Sequence, residues 1–273
     1  MKNIITSSII SLLLVATMSA SVFAAKPSGG TTTKTTAGID VSWPQCGKTL
    51  PGDKAFAIVG VNGGLANNDN PCFAEQLAWA EKSLGGTNQP LVSLYVNTTN
   101  PGLLSASWPT SNQYKGVDPT VIIAIENPHG TCSGAEDAAC AYIYGWSRAY
   151  DDVHHRNVPT TATFKWWLDV ETGNSWSTTA LNANAASLEG MTAYLQSTGA
   201  PVGVYSTNSQ WQTIVGRVDT TSNLNGLDSW LAGARTVRGA QQNCTNPPLT
   251  PTSKVVLTQY VSNNLDYNYA CVQ

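Results

Sequence analysis

Trp166-Trp167-Leu168-Asp169-Val170-Glu171 is the stretch on which the fold turns. It reads as the end of a β-strand, and because strand side chains alternate between faces, Asp169 and Glu171 point the same way. An apolar strand precedes them. Two carboxylates on one face at such a strand end are costly unless they are paired or used.

Working outward from this strand, short β-rich runs alternate with longer helical stretches. The runs are Gly38 to Ser42, Phe56 to Val61, Leu91 to Asn97, Phe164 to Val170 and Val202 to Ser206. Between them Cys72 to Leu84, Ala138 to His155, Leu181 to Gln196 and Asn208 to Val215 carry helical periodicity. That alternation predicts parallel strands joined by crossover helices. Three further runs, Trp230 to Ala234, Val255 to Ser262 and Leu265 to Ala270, follow with loops and no convincing helix between them. The expectation is an α/β chain with a TIM-like barrel of eight strands whose helices are missing near the end. The segment from Thr98 to Asp137 is a long insertion punctuated by Pro101, Pro109, Pro119 and Pro128, within which Val121 to Ile125 reads as an additional strand. Long loops after barrel strands shape the groove at the barrel mouth.

Two more acids fall at strand ends, Asp40 in Gly38-Ile39-Asp40-Val41-Ser42 and Asp266 in Leu265-Asp266-Tyr267-Asn268. The first and last strands of a closed barrel are neighbours, so these two acids are expected side by side. Glycoside cleavage needs one carboxylic acid to protonate the leaving oxygen and a negative charge to stabilise an oxocarbenium-like transition state. Like charges at close range raise the proton affinity of one partner, and the expectation is a protonated Glu171 beside an ionised Asp169. Tyr205, Trp230 and Tyr260 are candidates to line a sugar subsite or to fill the barrel core.

Around this domain, Met1 to Ala24 reads as a signal peptide, with Lys2, an apolar run from Ile9 to Ala16 and Val22-Phe23-Ala24 at the cleavage point. That run is too short to span a bilayer, and no later stretch approaches the ~20 apolar residues a membrane helix needs. Residues 25 to 36, Gly- and Thr-rich, read as a flexible linker, and residues 37 to 273 as one barrel domain. Six cysteines in an exported chain favour disulfides. Six allow roughly 15 connectivities, and the spacing suggests the neighbour pairs Cys46 with Cys72, Cys132 with Cys140 and Cys244 with Cys271.

Only 11% of residues are charged and the formal net charge is −3, which argues against a nucleic-acid partner. Nine tryptophans and ten tyrosines among many Asn, Ser and Thr suit a surface that stacks on sugar rings. Asp151, His154 and His155 have helical spacing that could bring two of them together for a metal, but no third ligand group accompanies such a pair, so no metal is expected. Glu126 and His129 sit on the insertion and read as a turn. No serine lies in a Gly-x-Ser-x-Gly elbow, and Gly60 to Gly64 lacks the lysine of a phosphate loop, so no cofactor is called for.

The chain resembles the family 25 glycoside hydrolases, lysozymes of the Chalaropsis type, and their secreted relatives. The matching pieces are Gly38-Ile39-Asp40-Val41-Ser42, Asp169-Val170-Glu171, Val204-Tyr205-Ser206-Thr207 followed by Trp211, Trp230-Leu231-Ala232, Gln259-Tyr260 and Leu265-Asp266-Tyr267-Asn268. The resemblance implies an irregular (β/α)5β3 barrel, disulfide-stabilised here, and hydrolysis of the bond between N-acetylmuramic acid and N-acetylglucosamine in peptidoglycan. It implies Glu171 as general acid/base and Asp169 as stabiliser of charge or orienter of the acetamido group, with Asp40 and Asp266 holding substrate, and retention through the substrate's own N-acetyl group. It also implies a secreted monomer acting on a polysaccharide. The chain departs from the family on its second strand, where Val59-Gly60-Val61-Asn62-Gly63-Gly64 stands for a Lys-Ala-Thr-Glu-Gly stretch, and in the Thr98 to Asp137 insertion. These departures support the alternative of a non-catalytic glycan-binding barrel.

Overall fold

The computed structural model describes residues 36–156 and 158–272. The stretches read as signal peptide and linker lie, except for Thr36, outside the described residues. Eight strands close a barrel: β1 (Ala37–Val41), β2 (Ala57–Gly60), β3 (Val92–Asn97), β6 (Lys165–Asp169), β7 (Val202–Ser206), β8 (Asp228–Ala234), β9 (Val255–Ser262) and β10 (Leu265–Ala270). Around the barrel they run β1-β10-β9-β8-β7-β6-β3-β2, and every neighbouring pair is parallel except the two that β10 makes. Two shorter strands, β4 (Gln113–Lys115) and β5 (Ile122–Ala124), form a separate hairpin inside the insertion. The additional strand read at Val121 to Ile125 is thus real but does not join the barrel.

Five helices connect the strands: α1 (Phe73–Ala80), α2 (Ala138–His154), α3 (Leu181–Ser197), α4 (Asn208–Ile214) and α5 (Val237–Asn243). The last of these corrects the sequence reading, which left β8 and β9 without a helix. Of its seven residues only Ala240 is buried, so α5 carries no apolar stripe to read. Thr236 starts it by accepting from the Gly239 amide at 3.1 Å. Among the described residues no α-helix stands between β1 and β2, where a single 3-10 turn covers Trp43–Gln45, or between β9 and β10. The latter pair is a hairpin whose two-residue turn, Asn263 and Asn264, holds both residues at positive φ (51° and 59°). Asparagine tolerates that conformation, and such a turn matches the twist of the flanking strands.

Alternation along the strands divides the apolar side chains into two layers. Outward-facing Ile39, Val59, Leu94, Trp166, Leu168 and Val204 pack beneath the helices in the main core. Inward-facing Phe56, Ile58, Trp167, Tyr205 and Trp230 fill the barrel. These rings need space that glycines provide. A Cβ on Gly38 would stand 2.1 Å from the Phe56 ring, and one on Gly203 would stand 2.4 Å from Trp167.

The insertion does not lie loose. Trp108 and Ile125 pack with Tyr142, Tyr144 and Ala186 in a satellite core against α2 and α3, and the disulfide Cys132–Cys140 ties it to the start of α2. The other disulfides are Cys46–Cys72 and Cys244–Cys271, so all three neighbour pairs suggested by spacing are formed. Helices α2 and α3 approach closely at Gly145 and Gly190, where an added Cβ would meet backbone oxygens at 1.8 and 2.0 Å.

Candidate functional site

The barrel mouth collects the acids. Asp169 is the last residue of β6 and Glu171 lies two residues on, while the β1–β10 register sets Asp40 directly opposite Asp266. All four line one pocket of about 180 Å³ together with Tyr95, Tyr205, Trp230 and Gln259. The sequence candidates Asp40, Asp169, Glu171, Asp266, Tyr205 and Trp230 are thereby brought together. Tyr260 is not among them. It stacks on Tyr267 with centroids 5.6 Å apart, on the barrel face opposite to Asp266 and Gln259.

Tyr205 and Trp230 form the floor, with ring centroids 4.3 Å apart, and Trp167 meets Trp230 edge-on at 5.7 Å. Apolar rings below and carboxylates above make a pocket in which charge is poorly solvated. No Lys or Arg lines it.

Asp40 is the most heavily tethered of the acids. Asn268 donates to it at 2.6 Å, and the Gln259 amide donates to both of its oxygens at 3.2 Å. Gln259 is itself fixed, since its oxygen accepts from the Tyr205 hydroxyl at 2.8 Å. Burial, and then the charge of Asp266, push the Asp40 carboxyl up to about 8 despite those donors. Asp266 is raised by burial.

Asp169 is 6% exposed, and its Oδ1 has no hydrogen-bond partner. Its backbone oxygen, by contrast, is held by the Thr98 hydroxyl at 2.6 Å and the Thr98 amide at 3.1 Å. Burial, then the charges of Glu171 and Asp40, raise the Asp169 carboxyl well above the usual carboxylate range. Glu171 is raised as well, by burial and then Asp266, against a lowering hydrogen bond from Gln210. The orientation of Gln210 is set, because its oxygen accepts from the Thr172 amide (2.7 Å) and hydroxyl (2.8 Å), which leaves its N–H groups for Glu171. Burial is the first cause of the rise in both acids of the pair, ahead of the like charge that the spacing of residues 169 and 171 suggested.

Gln259, Asn268, Gln210 and Tyr95 were not read as site residues. The signal for the first two was present in the turn. With Asn263 and Asn264 as its two residues, Gln259 falls opposite Asn268 and Tyr260 opposite Tyr267. Strand alternation then sends Gln259 and Asn268 to the face of Asp266 and Tyr260 away from it. Gln210 and Tyr95 carry no such local signal.

The remaining candidates lie elsewhere. Asp151 pairs with Arg148 at 2.7 Å and His155 at 3.3 Å on α2. His154 bonds the Tyr194 hydroxyl at 2.7 Å, and His129 meets Glu189 at 2.6 Å.

A family model described as lysozyme-like protein 1 matches residues 146–243. Three solved structures share the fold: a muramidase from Trichobolus zukalii (TM-score 0.52, 12% identity, 88% of this chain and 95% of that one), a lysozyme from Streptomyces coelicolor (0.52, 15%, 87% and 93%) and a family 25 lysozyme from Aspergillus fumigatus (0.53, 11%, 87% and 95%). The chain has the barrel of the family 25 lysozymes. In sequence, this lysozyme-like chain is 48% identical over 50 residues to the "probable family 25 lysozyme 4" of Dictyostelium discoideum. That match covers 18% of this chain and 22% of the length of that protein. The family model spans β6 and its two acids but reaches neither Asp40 nor Asp266.

Proposed function

We propose that this lysozyme-like chain hydrolyses a cell-wall polysaccharide, cleaving the bond between N-acetylmuramic acid and N-acetylglucosamine in peptidoglycan. The observation that carries this reading is a set of four carboxyl groups in one buried pocket with no cation to pair them. Ionised together they would repel in a poorly solvated site, so the pocket holds protons at neutral pH.

Glu171 stands at the mouth end of the pair, less buried than Asp169, and is the group that reaches a bound glycosidic oxygen. As general acid it gives that oxygen its proton while the C1–O bond breaks. The substrate's own acetamido oxygen closes on C1, and its N–H faces Asp169, whose carboxyl accepts or returns a proton as charge develops. Water then attacks C1 with Glu171 as base, which restores the starting proton and retains configuration. Asp40 and Asp266 hold hydroxyl groups, and Tyr205 and Trp230 offer ring faces from below. Export from the cell, with the chain acting as a monomer, fits the three disulfides of the barrel domain.

The test is release of reducing ends from purified peptidoglycan by the wild type and by Glu171→Gln. Loss of the general acid is expected to lower the rate by ~10²- to 10⁴-fold, and equal release by both proteins would remove Glu171 from the mechanism. The wild-type rate should peak on the acidic side of neutrality and decline at higher pH as Glu171, raised by burial, loses its proton. A flat profile would contradict the role given to Glu171. A non-catalytic glycan-binding barrel predicts binding without release by either protein.

A further inference from the structure

A groove of about 800 Å³ lies beside the acid pocket, between the insertion and the segment that follows Glu171. Asn100 and Leu104 of the insertion face Thr172, Trp176 and Thr178 across it, and Thr213 of α4 also lines it. Its chemistry is narrow. The single charged residue in the lining is Glu136, and that carboxylate is occupied in accepting the Leu103 amide at 2.7 Å. What remains is hydroxyl and amide groups, the rings of Trp108 and Trp176, and aliphatic surface from Pro101, Leu104 and Ile214. Leu104 stands 89% exposed at the edge, while Asn100, 5% exposed, has an Oδ1 without a partner.

The groove wall is also joined to the acid pocket. The Trp176 indole donates to the Glu171 backbone oxygen at 2.9 Å, and the Asn174 amide donates to the same oxygen at 3.2 Å. From the insertion side, the Thr99 hydroxyl (2.6 Å) and the Asn100 amide (2.9 Å) both donate to the Ser175 oxygen. With its N–H committed to Glu171, Trp176 packs part of its ring against the main core and lines the groove with the part left exposed.

We infer that this groove is an accessory glycan site, which holds further uncharged sugar units of the same polymer chain whose bond is cut at Glu171. The inference rests on the hydrolase reading above and deepens it by making the enzyme selective for long chains. Uncharged hydroxyl and amide groups around an aromatic face suit pyranose rings and acetamido groups. A nucleic acid or an acidic peptide would find no counter-charge there. The insertion thus extends the substrate path away from the carboxylates instead of covering them.

The experiment compares, as probes, a peptide-free peptidoglycan hexasaccharide of alternating N-acetylmuramic acid and N-acetylglucosamine with the N-acetylmuramyl-N-acetylglucosamine disaccharide, both of which carry the bond assigned for cleavage, on the full chain and on Leu104→Asp, Trp176→Ala and Trp176→Phe. Leu104 is too exposed for its replacement to disturb folding, so that variant guards against misreading a loss caused by damage at Trp176. The ratio of hexasaccharide to disaccharide kcat/KM should fall roughly fivefold or more in Leu104→Asp and Trp176→Ala, and recover in Trp176→Phe. An unchanged ratio in both of the first two would overturn the groove assignment while leaving the hydrolase reading standing. Should the wild type turn over neither probe, calorimetric titration with the hexasaccharide decides. Weaker binding by Leu104→Asp supports the groove although hydrolysis has failed, and equal binding or none overturns it.

Discussion

Acids are buried in two regions of this molecule, and the surroundings differ. On α2, Asp152 is 1% exposed and meets Arg156 at 2.8 Å, while its neighbour Asp151 meets Arg148 at 2.7 Å. At the barrel mouth, Asp40, Asp169, Glu171 and Asp266 meet amides, phenols and one another, and no cation. In the first region charge is balanced and the reward is a firm attachment of helix to neighbouring loops, since Arg156 also reaches Asp69 at 3.1 Å. In the second, charge is left unbalanced, which costs stability and raises proton affinity. Burial pushes Asp152 up to about 7 and Asp40 up to about 8, so what separates the two regions is the guanidinium groups that face the first and not the second. Unpaired buried acids point to chemistry.

The largest stability effect should come from the paired set. Asp152→Ala leaves Arg156 buried against fewer partners, and ~3 to 5 kcal/mol of stability should be lost. Differential scanning calorimetry would show this as a clear drop in Tm, and a Tm equal to that of the wild type would dissolve the contrast.

Set beside that single substitution is a pH effect in which both regions take part. Asp40 titrates at about 8 in the folded chain against 3.8 unfolded, and Asp152 at about 7. Between these limits the folded chain keeps protons that the unfolded chain has released, so unfolding free energy falls as pH rises from about 4 to 8, by roughly 1.4 kcal/mol per pH unit for each proton retained. Urea melts at several pH values should show that decline, and Asp40→Asn should flatten it. Stability that rises through this window would show that the mouth acids are not strained by ionisation.

Smallest is the effect at Tyr260, which the strand register turns away from the acids. Tyr260→Ala should leave kcat/KM on peptidoglycan within about twofold, well under the cost of losing a contact to a reacting sugar. A tenfold loss would place that tyrosine in the substrate path after all.

Much of this fold was legible because its signals are local. The two-residue periodicity of β6 set Asp169 and Glu171 on one face, and ring closure made neighbours of Asp40 and Asp266. What escaped was either unpatterned or relative. Helix α5 exposes most of its surface, Val237 included at 46%, so only its capping threonine announced it. The side taken by Tyr260 depends on a turn parity, and Asn263-Asn264 had to be read as a turn before that parity could be counted. The rise of Asp169 and Glu171 comes first from burial, which no linear spacing reports. Gln210 reaches Glu171 from the start of another helix, a juxtaposition that exists only in three dimensions.

The contrast between paired and unpaired acids is tested most directly by the unfolding free energy of Asp169→Asn at pH 8, measured beside its turnover of peptidoglycan. Replacing a carboxylate that costs stability with a neutral isostere should leave the protein as stable as the wild type or more so, while turnover collapses. A variant that unfolds ~2 kcal/mol more easily and still turns over would make Asp169 a structural acid of the Asp152 kind, and the assignment of the barrel mouth to catalysis would fall with it.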